Sequence, residues 1–338
     1  MSGFFASVAA FEAALGSLRS IDAAARDAAA ARQDVLTKPP GSLGRLEEIA
    51  LFLAEWQGRE RPRIDRGRVA IFAGNHGVAA RGVSAFPSEV TAQMVANFEA
   101  GGAAINALAR AAGLELIVVP IELNRPTKDF VEAPAMSAEE CLAALNVGAA
   151  VVEPDLDLLV LGEMGIGNST AAAALAAASF GGGARDWVGP GTGVHGSAFE
   201  AKVAAVDAGL TRHVKAASGA FDILQRLGGR EIAAVAGAVL AARQVGVPVL
   251  LDGFICCSGV APLAATNPDI VGHCLAGHCS AEPGHARLLD RLGLSPILSL
   301  GMRLGEGSGA AVAAGVVRAA IATHDQMASF AEAGVSEA

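Results

Sequence analysis

The chain has 338 residues, of which 52% are hydrophobic and only 4% aromatic, and it carries a formal net charge of −9. This length is enough for one large domain with an appendage or for two modest domains. The acidic balance argues against binding to nucleic acid or to an anionic membrane surface, since proteins that bind either normally carry a basic excess.

Cysteine content and hydropathy indicate the compartment. The chain has five cysteines, which is an odd number and too few for a disulfide framework in a chain of this length. We therefore predict a reducing, cytoplasmic environment. The longest apolar run, residues 232–242, is shorter than the roughly 20 residues that cross a bilayer, and we expect no membrane partner.

The first 66 residues show helical patterns that are interrupted by the sequence TKPPGSLGR at residues 37–45. Paired prolines and a glycine must break a helix there. Ser42 is a candidate cap for the next helix, which has apolar residues at helical spacing from Leu46 to Trp56. The charged segment 59–68 is predicted to link these helices to the main domain.

From Val69 onward, short β-branched or leucine-rich runs alternate with alanine-rich helical stretches. We predict strands at residues 69–72, 116–121, 156–161, 247–251 and 297–300, and a weaker sixth near 269–271. Helical periodicity is clear at residues 90–111, 170–178, 231–242 and 310–332. This alternation favours an α/β fold with a mostly parallel sheet of about six strands flanked by helices.

Glycine-rich loops follow predicted strands at residues 73–77, 162–170, 252–254, 277–284 and 302–309, and a further one lies at 188–193. Loops that leave the carboxyl ends of parallel strands share one edge of the sheet, where ligands bind. The loops 162–170 and 188–193 are suited to phosphate because glycines expose backbone amides there. Neither loop matches a Walker or GxGxxG pattern, and each taken alone is more typical of a tight βα turn.

Two glutamates, Glu163 and Glu306, lie in these loops. A carboxylate in an apolar pocket beside a phosphate has a raised pKa and can act as a base near neutrality. A pair of carboxylates is also found in glycoside hydrolases, but few of the aromatic and amide groups that bind sugars surround these two glutamates. Alternatively, Glu306 is a helix N-terminal charge that stabilises by about 0.3–1 kcal/mol. Spacing alone leaves these interpretations open.

Other polar residues are more ambiguous. Lys202 and Arg303 could assist anion binding. Alternatively, Lys202 lies on a solvated helix face and Arg303 forms a surface or structural ion pair. His273, Cys274, His278, Cys279 and His285 cluster within thirteen residues but lack the spacing of zinc ligands, so we predict no metal site and a partly buried structural cluster.

Several stretches in this order are characteristic of one family. They are KPPGSLGRLE at 38–47, NHGV at 75–78, GEMG at 162–165, VLLDGF at 249–254, SAE at 280–282 and MRLGEGSG at 302–309. From about residue 35 to 325 the chain resembles the nicotinate-nucleotide–dimethylbenzimidazole phosphoribosyltransferases of the cobalamin lower-ligand pathway. The first and last of these elements are long and unusual, so the match is specific.

This resemblance implies a reaction and an assembly. Nicotinate mononucleotide would transfer its phosphoribosyl group to 5,6-dimethylbenzimidazole, with anomeric inversion, giving α-ribazole 5′-phosphate and nicotinate. One base suffices, which the resemblance assigns to Glu306, and no cofactor is needed. The resemblance further implies a homodimer, a large Rossmann-like domain at residues 67–310, and a small helical domain formed by residues 1–66 and about 311–338.

The resemblance also implies roles for other residues. Glu163 would act in positioning and electrostatics. The residues expected to bind the nucleotide and its phosphate are Gly165, Gly191, Lys202, Ser280, Glu282 and Gly307. Phe86, Met94 and Leu304 would contact the benzimidazole, with core packing as the alternative for Phe86 and Met94. Some relatives carry Asp where this chain has Asn75, which leaves a charged role at that position in doubt.

Two rival functions remain at this stage. A dinucleotide-dependent oxidoreductase could use the loop 162–170, although it lacks a GxGxxG sequence. A non-catalytic nucleotide-binding sensor would bind substrates without turnover, and its behaviour would not depend on Glu306.

Overall fold

The computed structural model describes residues 3–191 and 193–336. Within these residues six strands form one parallel sheet in the order β2-β1-β3-β4-β5-β6. The strands are β1 (Gly67–Ala73), β2 (Glu115–Pro120), β3 (Leu158–Met164), β4 (Val249–Leu251), β5 (Cys274–His278) and β6 (Pro296–Leu298). The predicted fold class is therefore confirmed.

Helices cover both faces of this sheet. Before β3 they are α1 (Val8–Gly16), α2 (Ala23–Val35), α3 (Arg45–Gln57), α4 (Glu89–Glu99), α5 (Ala104–Ala111) and α6 (Ala138–Ala149). Between β3 and β5 they are α7 (Asn168–Phe180), α8 (Ser197–His213), α9 (Ala220–Leu227), α10 (Arg230–Val245) and α11 (Phe254–Thr266). After β5 they are α12 (Pro283–Leu292), α13 (Ser308–Gln326) and α14 (Phe330–Ala333).

The central strands are buried on both faces, which explains their nearly continuous apolar sequences. Every residue of β1 is buried. Ala70 and Phe72 point into a core that includes α6, α7, α10 and α11, whereas Val69 and Ile71 point into a second core that includes α3, α5 and α13. Such two-sided burial is the stable arrangement for a parallel sheet, because helical crossovers place apolar surface on each face.

Glycines allow α6 and α10 to lie unusually close together. A Cβ at Gly148 would lie 1.8 Å from the carbonyl oxygen of Ala234, and one at Gly237 would lie 2.0 Å from that of Leu145. The two helices therefore pack backbone against backbone, which aligns the start of α10 with the loop that follows β1.

Helix α2, from the first part of the chain, meets the end of α13. The Arg32 side chain in α2 donates hydrogen bonds to the carbonyl oxygens of His324, Asp325 and Met327 at the end of α13. α2 and α13 both pack on α3, while α1 packs instead on α9 and α10, and α13 also contacts β3, β5 and β6. Helix α13 thus joins α2 and α3 to the sheet.

Four predicted elements were wrong in detail. Residues 268–273 form a 3₁₀ helix in which the Asn267 side chain accepts from the amide of Asp269, and the strand is β5, which follows it. The predicted helix at 90–111 is two helices, α4 and α5, because Gly101 and Gly102 interrupt it. The helix predicted at 310–332 ends at Gln326. Ser42 does not cap α3, whose N-cap position is Gly44.

Candidate active site

The loops at the carboxyl edge of the sheet enclose one cavity of about 520 Å³, a size typical of small-ligand sites. The residues lining it come from the loops after β3, β4, β5 and β6 and from two other loops; they are Phe86, Glu163, Met164, Gly165, Ile166, Asn168, Ser169, Gly191, Gly253, Phe254, Ile255, His278, Ser280, Glu282, Arg303, Leu304 and Gly305. The glycine loops singled out in the sequence thus converge on one crevice, with the exception of residues 73–77, which lie behind it.

Glu306 lies beside this cavity on an unusual backbone. Gly305, Glu306 and Gly307 have φ angles of 80°, 62° and 75°, so three successive residues occupy the left-handed region. A non-glycine residue in this region costs about 1–3 kcal/mol and persists only where its surroundings hold it. The amide of Glu306 donates to the carbonyl oxygen of Glu163 at 3.3 Å, and α13 begins immediately after the turn.

The turn also depends on close contact with β3. A Cβ at Gly162 would lie 2.6 Å from the amide nitrogen of Gly307 and 2.8 Å from the carbonyl carbon of Glu306. Only glycine at position 162 lets the turn rest against the strand, and this contact brings Glu306 next to Glu163.

The carboxyl group of Glu306 is suited to proton transfer near neutral pH. The residue is 5% exposed. Burial, together with the negative charge of Asp252, raises the pKa of Glu306 to about 7. A base with this pKa is substantially ionised at neutral pH and still binds a proton well.

Glu163, at the end of β3, has a different character. Burial raises its pKa to about 8, and the nearby carboxylates of Asp252 and Glu231 act in the same direction. The Asn168 side-chain amide donates a hydrogen bond to Glu163 and opposes this shift. At neutral pH the Glu163 carboxyl group is therefore mainly protonated and can donate a hydrogen bond into the cavity.

Lys202 is buried, so the solvated helix face considered from the sequence is wrong. Its Nζ donates to Ser169 Oγ and to the carbonyl oxygen of Gly189, each at 2.9 Å. Burial lowers the pKa of Lys202 to about 8, and the charge of Glu282 opposes that effect. The ammonium group lies directly behind Gly191, where a Cβ would be 3.0 Å from Nζ.

Further polar groups line the same end of the cavity. The His285 ring fixes the Ser280 loop, since its Nδ1 accepts from the backbone amide of Ser280 at 2.8 Å. Burial raises the pKa of Glu282, whereas the charge of Lys202 lowers it. Arg303 is exposed and donates to the carbonyl oxygen of Gly191 at 3.3 Å, and among the described residues it makes no ion pair of the kind considered from the sequence.

Most of the site residues predicted from the sequence come together here. Phe86 and Leu304 are both exposed, at 51% and 56%, and both line the cavity. Met94 does not line it and packs, half-buried, against the second core. Lys202 and Gly307 lie behind the lining rather than in it.

Two buried ionisable side chains of the site, Asp252 and His278, were not selected from the sequence. Asp252, at the end of β4, is fully buried and accepts a hydrogen bond from the amide of Ala310 at 2.9 Å. His278, at the end of β5, lines the cavity with its Nε2 3.5 Å from Asp252 Oδ1. Their positions at strand carboxyl ends were the available signal, but a short strand and the neighbouring cysteines obscured it for His278.

Metal-ligating side chains and helix hydropathy bear on the predictions about ligands and compartment. Among residues 3–191 and 193–336, no three or more His, Cys, Asp and Glu side chains are grouped so that they could hold a metal ion. None of the helices described is long and apolar enough to cross a membrane. Within the predicted His/Cys cluster, His273 is buried and pairs with the carbonyl oxygens of Ile270 and Val239.

Comparison with known proteins agrees with this geometry. A phosphoribosyltransferase family model matches residues 18–335. Nicotinate-nucleotide–dimethylbenzimidazole phosphoribosyltransferases of Novosphingobium aromaticivorans and Mesorhizobium japonicum are 66% and 60% identical, covering 98% and 94% of both chains. The crystal structure of the corresponding enzyme of Thermus thermophilus superposes with a TM-score of 0.86 at 40% identity and covers 93% of this chain and 99% of that one. The chain therefore belongs to the nicotinate-nucleotide–dimethylbenzimidazole phosphoribosyltransferase family.

Proposed function

We propose that Glu306 is the general base with which this enzyme transfers the phosphoribosyl group of nicotinate mononucleotide to 5,6-dimethylbenzimidazole. The products are α-ribazole 5′-phosphate and nicotinate, formed with inversion at the anomeric carbon, and they serve cobalamin biosynthesis. The observation that carries this assignment is a single carboxyl group with a pKa of about 7, presented on a left-handed turn beside the cavity.

The chemistry requires one base and no general acid. One ring nitrogen of the benzimidazole attacks the anomeric carbon while the bond from that carbon to the pyridinium nitrogen breaks. The bonding electron pair leaves with the pyridine ring, which becomes neutral. The other benzimidazole nitrogen loses its proton to Glu306. Holding both rings in line with the ribose supplies much of the rate acceleration.

Glu163 acts as a positioning group in this scheme. Its protonated carboxyl group, adjacent to the Glu306 turn, donates a hydrogen bond rather than competing for the proton that is transferred. Keeping this group neutral also avoids a second full negative charge beside the base, which would hinder its ionisation.

The nucleotide is proposed to lie along the loops that contain Gly165, Gly191 and Ser280. Backbone amides at the start of α7 and in the Gly191 turn suit the phosphate, and the charge of Lys202 lies directly behind them. Glu282 is a hydrogen-bond acceptor and suits ribose hydroxyl groups. Gly307 is proposed to contribute to nucleotide binding because it lies at the amino terminus of α13.

The benzimidazole ring is proposed to bind between Phe86 and Leu304. Both side chains line the cavity and are more than half exposed, so a flat apolar ring would bury surface that now faces solvent. Met94 would support this subsite from the core that it packs against.

The organisation of the chain is also proposed from the sequence. We infer a catalytic domain at residues 67–310 and a helical domain from residues 1–66 and about 311–338, which the contacts of Arg32 with the end of α13 support. We further propose a cytoplasmic homodimer that requires no cofactor and binds no nucleic acid.

The test is nicotinate release from purified protein mixed with nicotinate mononucleotide and dimethylbenzimidazole. Glu306→Gln should lower kcat by about 10²–10⁴, since that is the usual contribution of a positioned base. Glu12→Gln, at an exposed position in α1, is the matched control and should retain full activity.

The outcomes separate the rival interpretations. Equal rates in Glu306→Gln and the wild type would keep the reaction but remove Glu306 as its base. Substrate binding without release in any sample would instead favour the nucleotide sensor.

A further inference from the structure

Asp252, which follows β4, forms a hydrogen bond with a helix that is distant in the sequence. Its Oδ1 accepts from the amide of Ala310, which lies 58 residues further along the chain in the first turn of α13. Burial raises the pKa of Asp252, and His278 and the amides of Ala310, Gly309 and Gly307 in the same turn oppose that effect. Asp252 therefore faces the free N–H groups with which α13 begins.

These amides have no cap of their own. The N-cap position of α13 is Gly307, which has no side chain to accept from them. The first amides of a helix lack partners within the helix, and a carboxylate beside them is stabilised by the partial positive charge there. From the end of β4, Asp252 thus accepts a hydrogen bond that a side chain at the N-cap position would otherwise accept.

His278 completes the arrangement from β5, the adjacent strand. Its Nε2 lies 3.5 Å from Asp252 Oδ1, and its ring occupies the space that Gly309 leaves open, where a Cβ would be 2.2 Å from Cδ2. The ring and the amides all face Asp252 with groups able to donate hydrogen bonds. Donors of this kind favour the ionised form of a carboxyl group.

We propose that Asp252 is a positioning residue that anchors the start of α13, and with it the left-handed turn, and whose negative charge keeps the Glu306 carboxyl group able to bind a proton. This inference rests on the proposed role of Glu306 as the base. Asp252 does not line the cavity, so it acts through Glu306 rather than on the substrates.

The other ionisable groups around the turn are protonated, paired or directed elsewhere. Glu163, on β3, is mainly protonated there. Glu231, at the start of α10, is buried and pairs with His76. Arg303, in the same loop as Glu306, is exposed and directed to Gly191. Lys202 and Glu282 offset one another's charge at the other end of the site. Apart from burial, Asp252 is the influence that raises the pKa of Glu306.

The decisive variant is Asp252→Asn, which keeps an acceptor oxygen for Ala310 but removes the charge. The pH profile of kcat/KM for nicotinate release should show a rising limb in the wild type near pH 7. In Asp252→Asn this limb should move to lower pH by about one unit, the usual effect of removing a nearby like charge. Asp252→Ala should also lower Tm, because it removes the anchor, whereas Asp252→Asn should largely restore Tm.

Control variants keep the inference distinct from the proposed function. If Glu306→Gln abolishes the limb but Asp252→Asn leaves it at the wild-type pH, the inference about Asp252 is wrong while the role of Glu306 stands. If Glu306→Gln retains the limb and the rate, the proposed base itself is wrong. Substrate ionisation is the same in every sample, so it cancels from the comparison.

A measurement on the wild-type protein decides the matter if Asp252→Asn does not fold. Protein labelled with ¹³C at the aspartate carboxyl groups is titrated by NMR between pH 5.5 and 8. The inference requires Asp252 to be ionised throughout, so every aspartate signal should remain that of a carboxylate. An aspartate that is still protonated at pH 7 would overturn it.

Discussion

Gly162 offers a direct test of how β3 supports the base. Gly162→Ala places a methyl group 2.6 Å from the amide nitrogen of Gly307 and 2.8 Å from the carbonyl carbon of Glu306. Ordinary van der Waals contact begins near 3.4 Å, so the turn must retreat by about 0.8 Å. The obstructing atoms are backbone atoms, which cannot rotate away as a flexible side chain would.

The displacement sets the size of the effect. A misplacement of about 1 Å can lower a rate by about 10²-fold, so kcat of Gly162→Ala should fall by roughly 10- to 100-fold. Overpacking of a tight site costs about 1–3 kcal/mol. An unfolding entropy of roughly 2.1 cal/mol/K per residue over 338 residues converts each kcal/mol into about 1.4 °C of Tm. The expected fall in Tm is therefore only about 1–4 °C.

The assay pairs nicotinate release with thermal unfolding, and Gly315→Ala is the control. Gly315 lies in the same helix, α13, but is exposed, and a Cβ there meets nothing within 4 Å. That substitution should raise Tm by about 1 °C, since alanine is favoured over glycine in a helix by about 0.5–1 kcal/mol, and should leave kcat unchanged. Wild-type kcat and Tm in Gly162→Ala would refute the contact between β3 and the turn.

Three further predictions concern the site. First, wild-type kcat/KM should rise with pH through a midpoint near 7 as Glu306 ionises, and an activity that is flat from pH 6 to 8 would contradict this. Second, folding raises the pKa of Glu163 from 4.5 to about 8, so the folded protein holds a proton that the unfolded chain has lost, and stability falls as pH rises through this window. Glu163→Gln should therefore lose less Tm than the wild type between pH 5 and 8.5; an equal loss would show that Glu163 does not titrate there. Third, Phe86→Ala should raise KM for dimethylbenzimidazole about tenfold and leave both KM for nicotinate mononucleotide and Tm nearly unchanged, because the ring is 51% exposed. A large fall in Tm would instead place Phe86 in the core.

The sequence was most informative where a local pattern sufficed. The strands within residues 67–73 and 158–164 are long apolar runs between breakers, and both were found. The strand β5 was missed because Cys274–His278 is short and its residues were assigned to a partly buried structural cluster of histidines and cysteines. The interruption between α4 and α5 was also missed. Helical periodicity continues on both sides of the two glycines, and it was given more weight than the glycines themselves.

The candidate site divides in the same way. The glycine loops and Glu306 were selected from the sequence because turn chemistry and the motif around Glu306 are local. Lys202 shows the limit of this reasoning, since helical periodicity did not reveal that its ammonium group is enclosed by Ser169 and Gly189.

By itself, therefore, the sequence determined the α/β alternation and the edge at which its glycine loops meet, whereas the choice of Glu306 as the candidate base came from the resemblance to a known family. Only the tertiary structure decided the protonation of Glu306 and of Glu163, because burial and the charge of Asp252 set both pKa values. Asp252 reaches the Glu306 turn through a hydrogen bond that spans 58 residues. Periodicity and turn preferences act over a few neighbouring residues, whereas a pKa depends on every charge and donor that folding brings near, however distant in sequence.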